Sequence, residues 1–356
     1  RTLIGESGLT QSAFAAEIGL DPTKLSKSLS GSRRFSSLDL ARIAERSKVS
    51  VDWILSGVES PLATAARASD GSSSARALSV ANDLVELRES AARLGYPQRV
   101  RLLAEQSSAG RAVDQGVELA ARALKRLEAE GLDVATLDLA TLIERTFGID
   151  VCLSPLGDGF DGLAATTEHA RVIVAAVTPV AFRQRFTLAH ELAHTLVGDD
   201  QGIHADVDVY SAESKRGASE IRANAFAAAL LMPEGLLREA VGAGFGQSEF
   251  AQLAMKLMVS PSSLAYRLES LRLIDAMARD QWRAMSAKQA ARISGASAAL
   301  AAATAYSTEP RHPGLLARDL FEAYLEEKTT LRPYANLIGV DARSLRDDLE
   351  RSETES

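Results

Sequence analysis

The sequence predicts a mainly helical α+β protein: an all-helical N-terminal part, a domain with a small sheet, and helical extensions at the C-terminal end. Three observations predict it. Aromatic residues make up only 5% of the 356 residues and alanine is abundant, which favours helices over a large β-sandwich. Apolar residues recur at helical spacing over most of the length. β-Branched and alternating residues dominate only in Gly148–Leu156, Gly162–Thr167 and Arg171–Val177, which predicts a sheet of about three strands.

Composition narrows the function classes. At ~150 residues per domain the length predicts two or three domains. Hydrophobic residues at 46% and charged residues at 24% exclude a chain that is disordered throughout. Forty Lys and Arg against 47 Asp and Glu give a net charge of −7, which excludes a uniformly basic nucleic-acid coat but not a local basic patch. The single cysteine, Cys152, excludes a disulfide framework and a Cys-based zinc finger, and fits a reducing cytoplasm. The longest apolar runs, Val172–Val177 and Ala225–Met232, fall short of the ~20 residues of a membrane span, so no membrane partner is expected. Arg1 is not a Met, so the numbering is expected to begin inside the natural chain, and no charged-then-apolar signal segment opens it.

In chain order, residues 1–58 alternate short helical patterns with turn signals and form the first domain. Residues 59–77 are small and polar and read as a linker. Residues 78–115 read as a helical connector, whose pattern (Leu84, Leu87, Ala91, Leu94) runs on to about Leu127. Residues 116–275 hold the sheet and the helices that follow from Phe182 to about Arg272. Residues 276–356 form a C-terminal helical region, with an Ala-rich stretch at Ser294–Tyr306 and a last helical segment at Leu315–Glu350.

One pattern recurs. Ala15, Gly19, Leu20, Leu25 and Leu29 share their spacing with Ala254, Met258, Val259, Leu264 and Leu268, and with Ala335, Gly339, Val340, Leu345 and Leu349. In each, a helix ends near the second position and another starts at Asp21-Pro22, Ser260-Pro261 or Asp341. This predicts two short helices crossing around a tight turn, although amphipathic helices also produce such patterns by themselves.

The first copy carries a surface. Asp21 is placed to cap the second helix, with Pro22 in its first position, and Gly19 suits a turn with positive φ. Thr23, Lys24, Ser26 and Lys27 face outward, and no acidic residue occurs from Pro22 to Phe35. Gln11–Gly31, with the tail Val49-Ser-Val-Asp-Trp-Ile-Leu-Ser-Gly57, resembles the Xre/lambda-repressor family of helix-turn-helix domains. The resemblance implies double-stranded DNA as partner, with Gln11 and Arg33 on phosphates and Thr23, Lys24 and Lys27 facing the major groove. Such heads bind paired half-sites, which implies a homodimer. Only Arg1–Leu9 remain for the first helix, and a protein-interaction module with a solvated basic face is the alternative.

The strongest chemical signal is Phe186-Thr-Leu-Ala-His-Glu-Leu-Ala-His-Thr-Leu196. His190 and His194 stand at i and i+4 on one helix face, so both rings can reach one ion. Glu191 follows the first of them, where a carboxylate can deprotonate a bound water. By chance, H-E-x-x-H belongs in well under ~1% of chains with so few His. Downstream, Ser219–Leu231 reads as a second helix ended by Pro233. Its Glu220 is the expected third ligand, and Asn224, one turn on, is placed to bond the free ring nitrogen of a ligating His. Ala223, Phe226, Ala227 and Leu230 are expected to pack inward.

Arg185–His194 and Glu220-x-x-Ala-Asn-x-Phe-Ala-x-x-Leu-Leu-Met-Pro233 resemble the ImmA/IrrE family of zinc metallopeptidases, with similarity over about Gly116–Ile274. That resemblance implies a zincin-like domain, Zn²⁺ held by His190, His194 and Glu220, and peptide hydrolysis in which Glu191 shuttles the proton. Mn or Fe can take the place of zinc in such a site. Tyr210 or His204 is the candidate oxyanion stabiliser, both on the polar stretch 198–218, which is expected to act as a flap. The family implies cleavage of a specific repressor or antitoxin in a stress- or phage-related response. The alternative is a transcription factor that uses the same domain to sense a metal or ligand and cuts nothing.

Overall fold

A computed structural model describes residues 2–47, 54, 73–103, 110–136, 138–157, 160–198 and 209–354. They fall into two units, Arg1–Asn82 and Asp83–Ser356.

In the first unit, α1 (Thr2–Glu6), α2 (Gln11–Glu17), α3 (Pro22–Leu29) and α4 (Ser37–Ser47) close around Phe14, Ala15, Ile18, Leu20, Leu25 and Ile43. The crossing of α2 and α3 follows from local chemistry. Gly19 takes φ +61°, which lets Leu20 N donate to Ala15 O at 2.9 Å and shut the end of α2. Asp21 Oδ1 then accepts from Thr23 N and Lys24 N at 2.9 and 3.1 Å, capping α3. Leu25 is buried and Leu29 half-buried. Apart from Ile54, the tail Val49–Gly57 lies outside the described residues, as do positions 59–72 of the expected linker. The last five linker positions are helical, because α5 runs Ser73–Arg93.

The helical pattern expected from 78 to 127 is interrupted. Tyr96 N turns back onto Ala91 O at 2.9 Å with Gly95 at φ +95°, and Pro97 follows. Helix resumes at α6 (Ala112–Ala129) and α7 (Leu139–Phe147), the latter capped by Asp138 and closed by Gly148. The sheet is as expected, with β1 (Asp150–Ser154), β2 (Gly162–Thr166) and β3 (Arg171–Ala176) in the order β1-β3-β2. β1 runs parallel to β3 (Val151 opposite Ile173) and β2 antiparallel to it (Leu163 opposite Val174). The centre of β3, Val172–Ala175, is fully buried, which explains its unbroken apolar run. α8 (Ala181–Val197) and α9 (Val209–Leu231) follow, then α10 (Glu234–Ala240), α11 (Gln247–Leu257), α12 (Pro261–Ser270), α13 (Ala276–Arg283), α14 (Ala287–Ile293), α15 (Ser297–Thr308), α16 (Gly314–Leu325), α17 (Arg332–Leu337) and α18 (Ala342–Thr354). One apolar core joins α6, α7, the sheet and α8–α14.

The repeated turn is real in all three places. Val259 N donates to Ala254 O at 3.1 Å and Val340 N to Ala335 O at 3.0 Å, matching Leu20 and Ala15. Met258 and Gly339 sit at φ +55° and +71°, and Ser260 and Asp341 cap the next helix.

Two buried ion networks tie these layers together. Arg88, fully buried on α5, grips Asp150 at 2.6 and 2.7 Å and Asp319 on α16 at 2.5 Å. Arg311 grips Glu144 on α7, at 2.6 Å to Oε2, and pairs its backbone with Leu153 on the β1 edge.

α6 and α9 approach closely at Gly116. A Cβ there would stand 2.3 Å from Arg222 O and 2.9 Å from Phe226 N. In an ordinary helix Gly→Ala stabilises by up to ~1 kcal/mol. Gly116→Ala is instead expected to destabilise by about 1–3 kcal/mol, because the backbone of α9 must give way. Thermal unfolding checks the sign.

Candidate metal centre

The helix that carries the paired histidines is anchored before its ligands are reached. Arg185, buried in the first turns of α8, donates from Nη2 to Val134 O at 2.8 Å, from Nη1 to Thr136 O, and from Nε to Met258 O at 3.3 Å. Burial lowers its pKa to about 10, so it stays charged at neutral pH. Gln184 Nε2 donates to Ala176 O and Ser307 O, both at 2.9 Å. At the other end, Arg171 reaches Thr195 O. Leu188, Ala189, Leu192, Ala193 and Leu196 are buried, as their spacing predicts.

α9 packs across this helix through Ala223, Phe226, Ala227 and Leu230, all 0–1% exposed. That crossing brings Glu220 to the histidines. His190 Nε2 and His194 Nε2 lie 3.1 Å apart, and the Glu220 carboxylate stands 3.3 Å from the first and 3.6 Å from the second. Ligand atoms around a four-coordinate zinc at 2.0–2.1 Å are spaced by about 3.3–3.4 Å, so the three contacts fit one ion of that size.

The far sides of both rings are held as well. His190 Nδ1 lies 3.1 Å from Asn224 Oδ1. An amide oxygen only accepts, so Nδ1 carries the proton and Nε2 presents its lone pair to the centre. Burial, and then the neighbouring His194, hold the His190 pKa below its ordinary value, which keeps the ring in the neutral form a metal requires. The His194 side chain is 1% exposed, and its Nδ1 lies 3.3 Å from Ser219 Oγ. Glu191, buried at 7% exposure, sits between the histidines in the same turn.

Sequence reasoning missed Ser219. It stands one residue before Glu220 and carries no signal of its own; only the crossing angle of α8 and α9 turns it toward His194. Ser219→Ala and Asn224→Ala are each expected to weaken metal binding about 10–100-fold with helicity unchanged, read by chelator competition.

The remaining candidates fall elsewhere. Tyr210 lies in the first turn of α9, and His204 falls outside the described residues. α9 starts at Val209, so the expected flap is helical over its second half. In the first unit Gln11, Thr23, Lys24 and Lys27 are exposed on α2 and α3. Arg33 is half-buried and differs from its neighbours, since its Nη1 bonds Asp39 Oδ2 at 2.8 Å and Ser28 Oγ at 2.9 Å. Asp39 lies beyond the acid-free stretch in sequence and next to it in space. Among the described residues, His190, His194 and Glu220 are the one group of three or more His, Cys, Asp or Glu placed to hold an ion.

Known proteins resemble this stretch of the chain. Residues 144–269 match the model of the IrrE N-terminal-like domain, peptidase M78. The chain is 36% identical over 137 residues to the radiation response metalloprotease IrrE of Deinococcus radiodurans, covering 37% of this chain and 40% of that protein. It is 35% identical over 134 residues to the protein of the same name from Deinococcus deserti, covering 37% of this chain and 46% of that one. The chain thus spans less than half the length of these relatives. The matched stretch, which contains the sheet, α8 and α9, is similar to a metallopeptidase domain.

Proposed function

We propose that this chain is a DNA-binding transcriptional regulator whose second unit is a metal-dependent endopeptidase. The observation that carries the reading is the convergence of His190, His194 and Glu220 on one ion-sized point beside Glu191. Zinc is the expected metal, and two imidazoles with one carboxylate also suit Mn or Fe. A metal held there would supply Lewis acidity that polarises the scissile carbonyl and eases deprotonation of the attacking water.

This chain's own residues do the rest. Glu191 accepts the proton from the attacking water and delivers it to the leaving amine nitrogen. Asn224 and Ser219 hold the imidazoles in register. Tyr210 or His204 is the proposed partner for the developing oxyanion. On the first unit, exposed Gln11, Thr23, Lys24 and Lys27 on a capped helix-turn-helix support duplex DNA as partner, with a homodimer matching paired half-sites.

The proposed substrate is a specific repressor or antitoxin, cleaved in the cytoplasm during a stress- or phage-related response. The names of the relatives, radiation response metalloproteases, support the stress setting. The fused helix-turn-helix also fits a second reading, a regulator that senses metal and cuts nothing. The test is to incubate the metal-loaded chain with purified repressors encoded beside it. Cleavage that disappears after chelation supports the peptidase; an intact repressor pool with the metal bound refutes it.

A further inference from the structure

The third copy of the repeated turn, between α17 and α18, borders a cleft. Asp341, Ala342, Arg343 and Arg346 from the start of α18, with Thr330 and Arg332 from the approach to α17, line a cavity of about 630 Å³. The volume lies within the range of small-molecule sites, ~300–1,000 Å³.

Five of its six lining residues carry a polar or charged group, and the lining holds three arginines against one acid. Arg332, Arg343 and Arg346 are exposed, and none of them forms a salt bridge among the described residues. Their neighbours behave differently: Arg318 pairs with Asp319, Lys328 with Glu326, and Arg351 with Asp348. The single acid of the lining is already committed. Asp341 Oδ1 accepts from Arg343 N at 3.0 Å, Ser344 N at 2.9 Å and Ser344 Oγ at 3.2 Å. Three arginines and Thr330 therefore border a space whose one carboxylate, Asp341, is engaged at the helix cap. Leu331 and Ala335, on either side of Arg332 in the chain, are fully buried.

We propose that this cleft binds a phosphate-bearing ligand. Guanidinium forks match phosphate oxygens in pairs, and a dianion with several acceptors can engage more than one fork. The phosphate can come from a free small molecule or from a nucleic-acid backbone. Asp347, Asp348 and Glu350, further along α18, oppose a polyanion laid along the helix. A small phosphate compound is therefore the expected source.

The test is arginine modification by phenylglyoxal on the full chain, mapped by peptide mass spectrometry, without ligand, with inorganic pyrophosphate, and with a short DNA duplex. Mapping by peptide separates the cleft from the metal centre and from the helix-turn-helix head. Pyrophosphate is expected to slow modification of Arg332, Arg343 and Arg346 together by about tenfold at saturation, and to leave exposed Arg292 unchanged. Protection by the duplex alone supports phosphate recognition and assigns it to a nucleic-acid backbone. The double variant Arg343→Gln/Arg346→Gln, both exposed positions, is expected to keep its circular dichroism and to bind pyrophosphate about tenfold more weakly at this site, read as lost protection of Arg332. Unchanged modification of the three arginines with both probes, or undiminished protection of Arg332 in the double variant, overturns the proposal.

Discussion

Glu191→Gln is expected to slow peptide hydrolysis by about 10²–10⁴-fold while the chain still takes up its metal. The two readouts separate because Glu191 lies outside the ligand trio. The Nε2 atoms and carboxylate that converge belong to His190, His194 and Glu220, and glutamine at 191 keeps the size of a buried side chain without a basic oxygen to receive the proton. His194→Ala is expected to behave in the opposite order and lose metal first, since a ring that is 1% exposed and fixed by Ser219 has no substitute nearby. Metal content by mass spectrometry and cleavage by gel assay give the pair of measurements. A Glu191→Gln chain that regulates transcription like the original, with no cleavage in either, would favour the sensing role. A chain that keeps full cleavage would remove Glu191 from the chemistry.

The parts of this site that the sequence revealed share a physical character: they are set by periods shorter than a few turns. His190 and His194 meet because four residues make about one helical turn, and the strands at 150–154 and 171–176 are legible because a buried parallel pair needs an unbroken apolar run. The repeated turn was visible even where Met258 replaces glycine, since spacing and cap chemistry outlast the residue at positive φ. What stayed hidden depends on partners far away in the chain. Arg88 finds Asp150 at a separation of 62 residues and Asp319 at 231, and no local period announces either. Ser219 acquires its role only through the helix crossing. The start of α9 at Val209 was missed because Ser211–Arg216 has no apolar stripe. The pairing of Arg33 with Asp39 shows the same limit at short range, because a charge count along the chain ignores which charges the turn brings together.

Arg88→Met is expected to destabilise the second unit by about 3–5 kcal/mol. The reason is asymmetry. A methionine fills much of the volume of Arg88 and needs no partner, but it abandons Asp150, which is fully buried, and Asp319, which is nearly so. Burial already raises the Asp150 carboxyl to about 6 against the opposing pull of Arg88, and without the guanidinium it rises further. A folded-state pKa above the unfolded one favours the protonated native form. The variant is therefore least impaired below about pH 4, and its deficit grows as the pH climbs through the raised folded value. Thermal unfolding at pH 5 and pH 8 reads this directly, at about 2–4 °C per kcal/mol for a unit of this size. Arg88→Lys should recover only part of the loss, because one ammonium cannot reproduce a fork that meets both oxygens of Asp150 and reaches Asp319. Arg88→Met combined with Asp150→Asn and Asp319→Asn should recover most of it, since the cost lies in the stranded carboxylates rather than in the missing pair. A triple variant as weak as Arg88→Met would move the cause from charge to packing around α5.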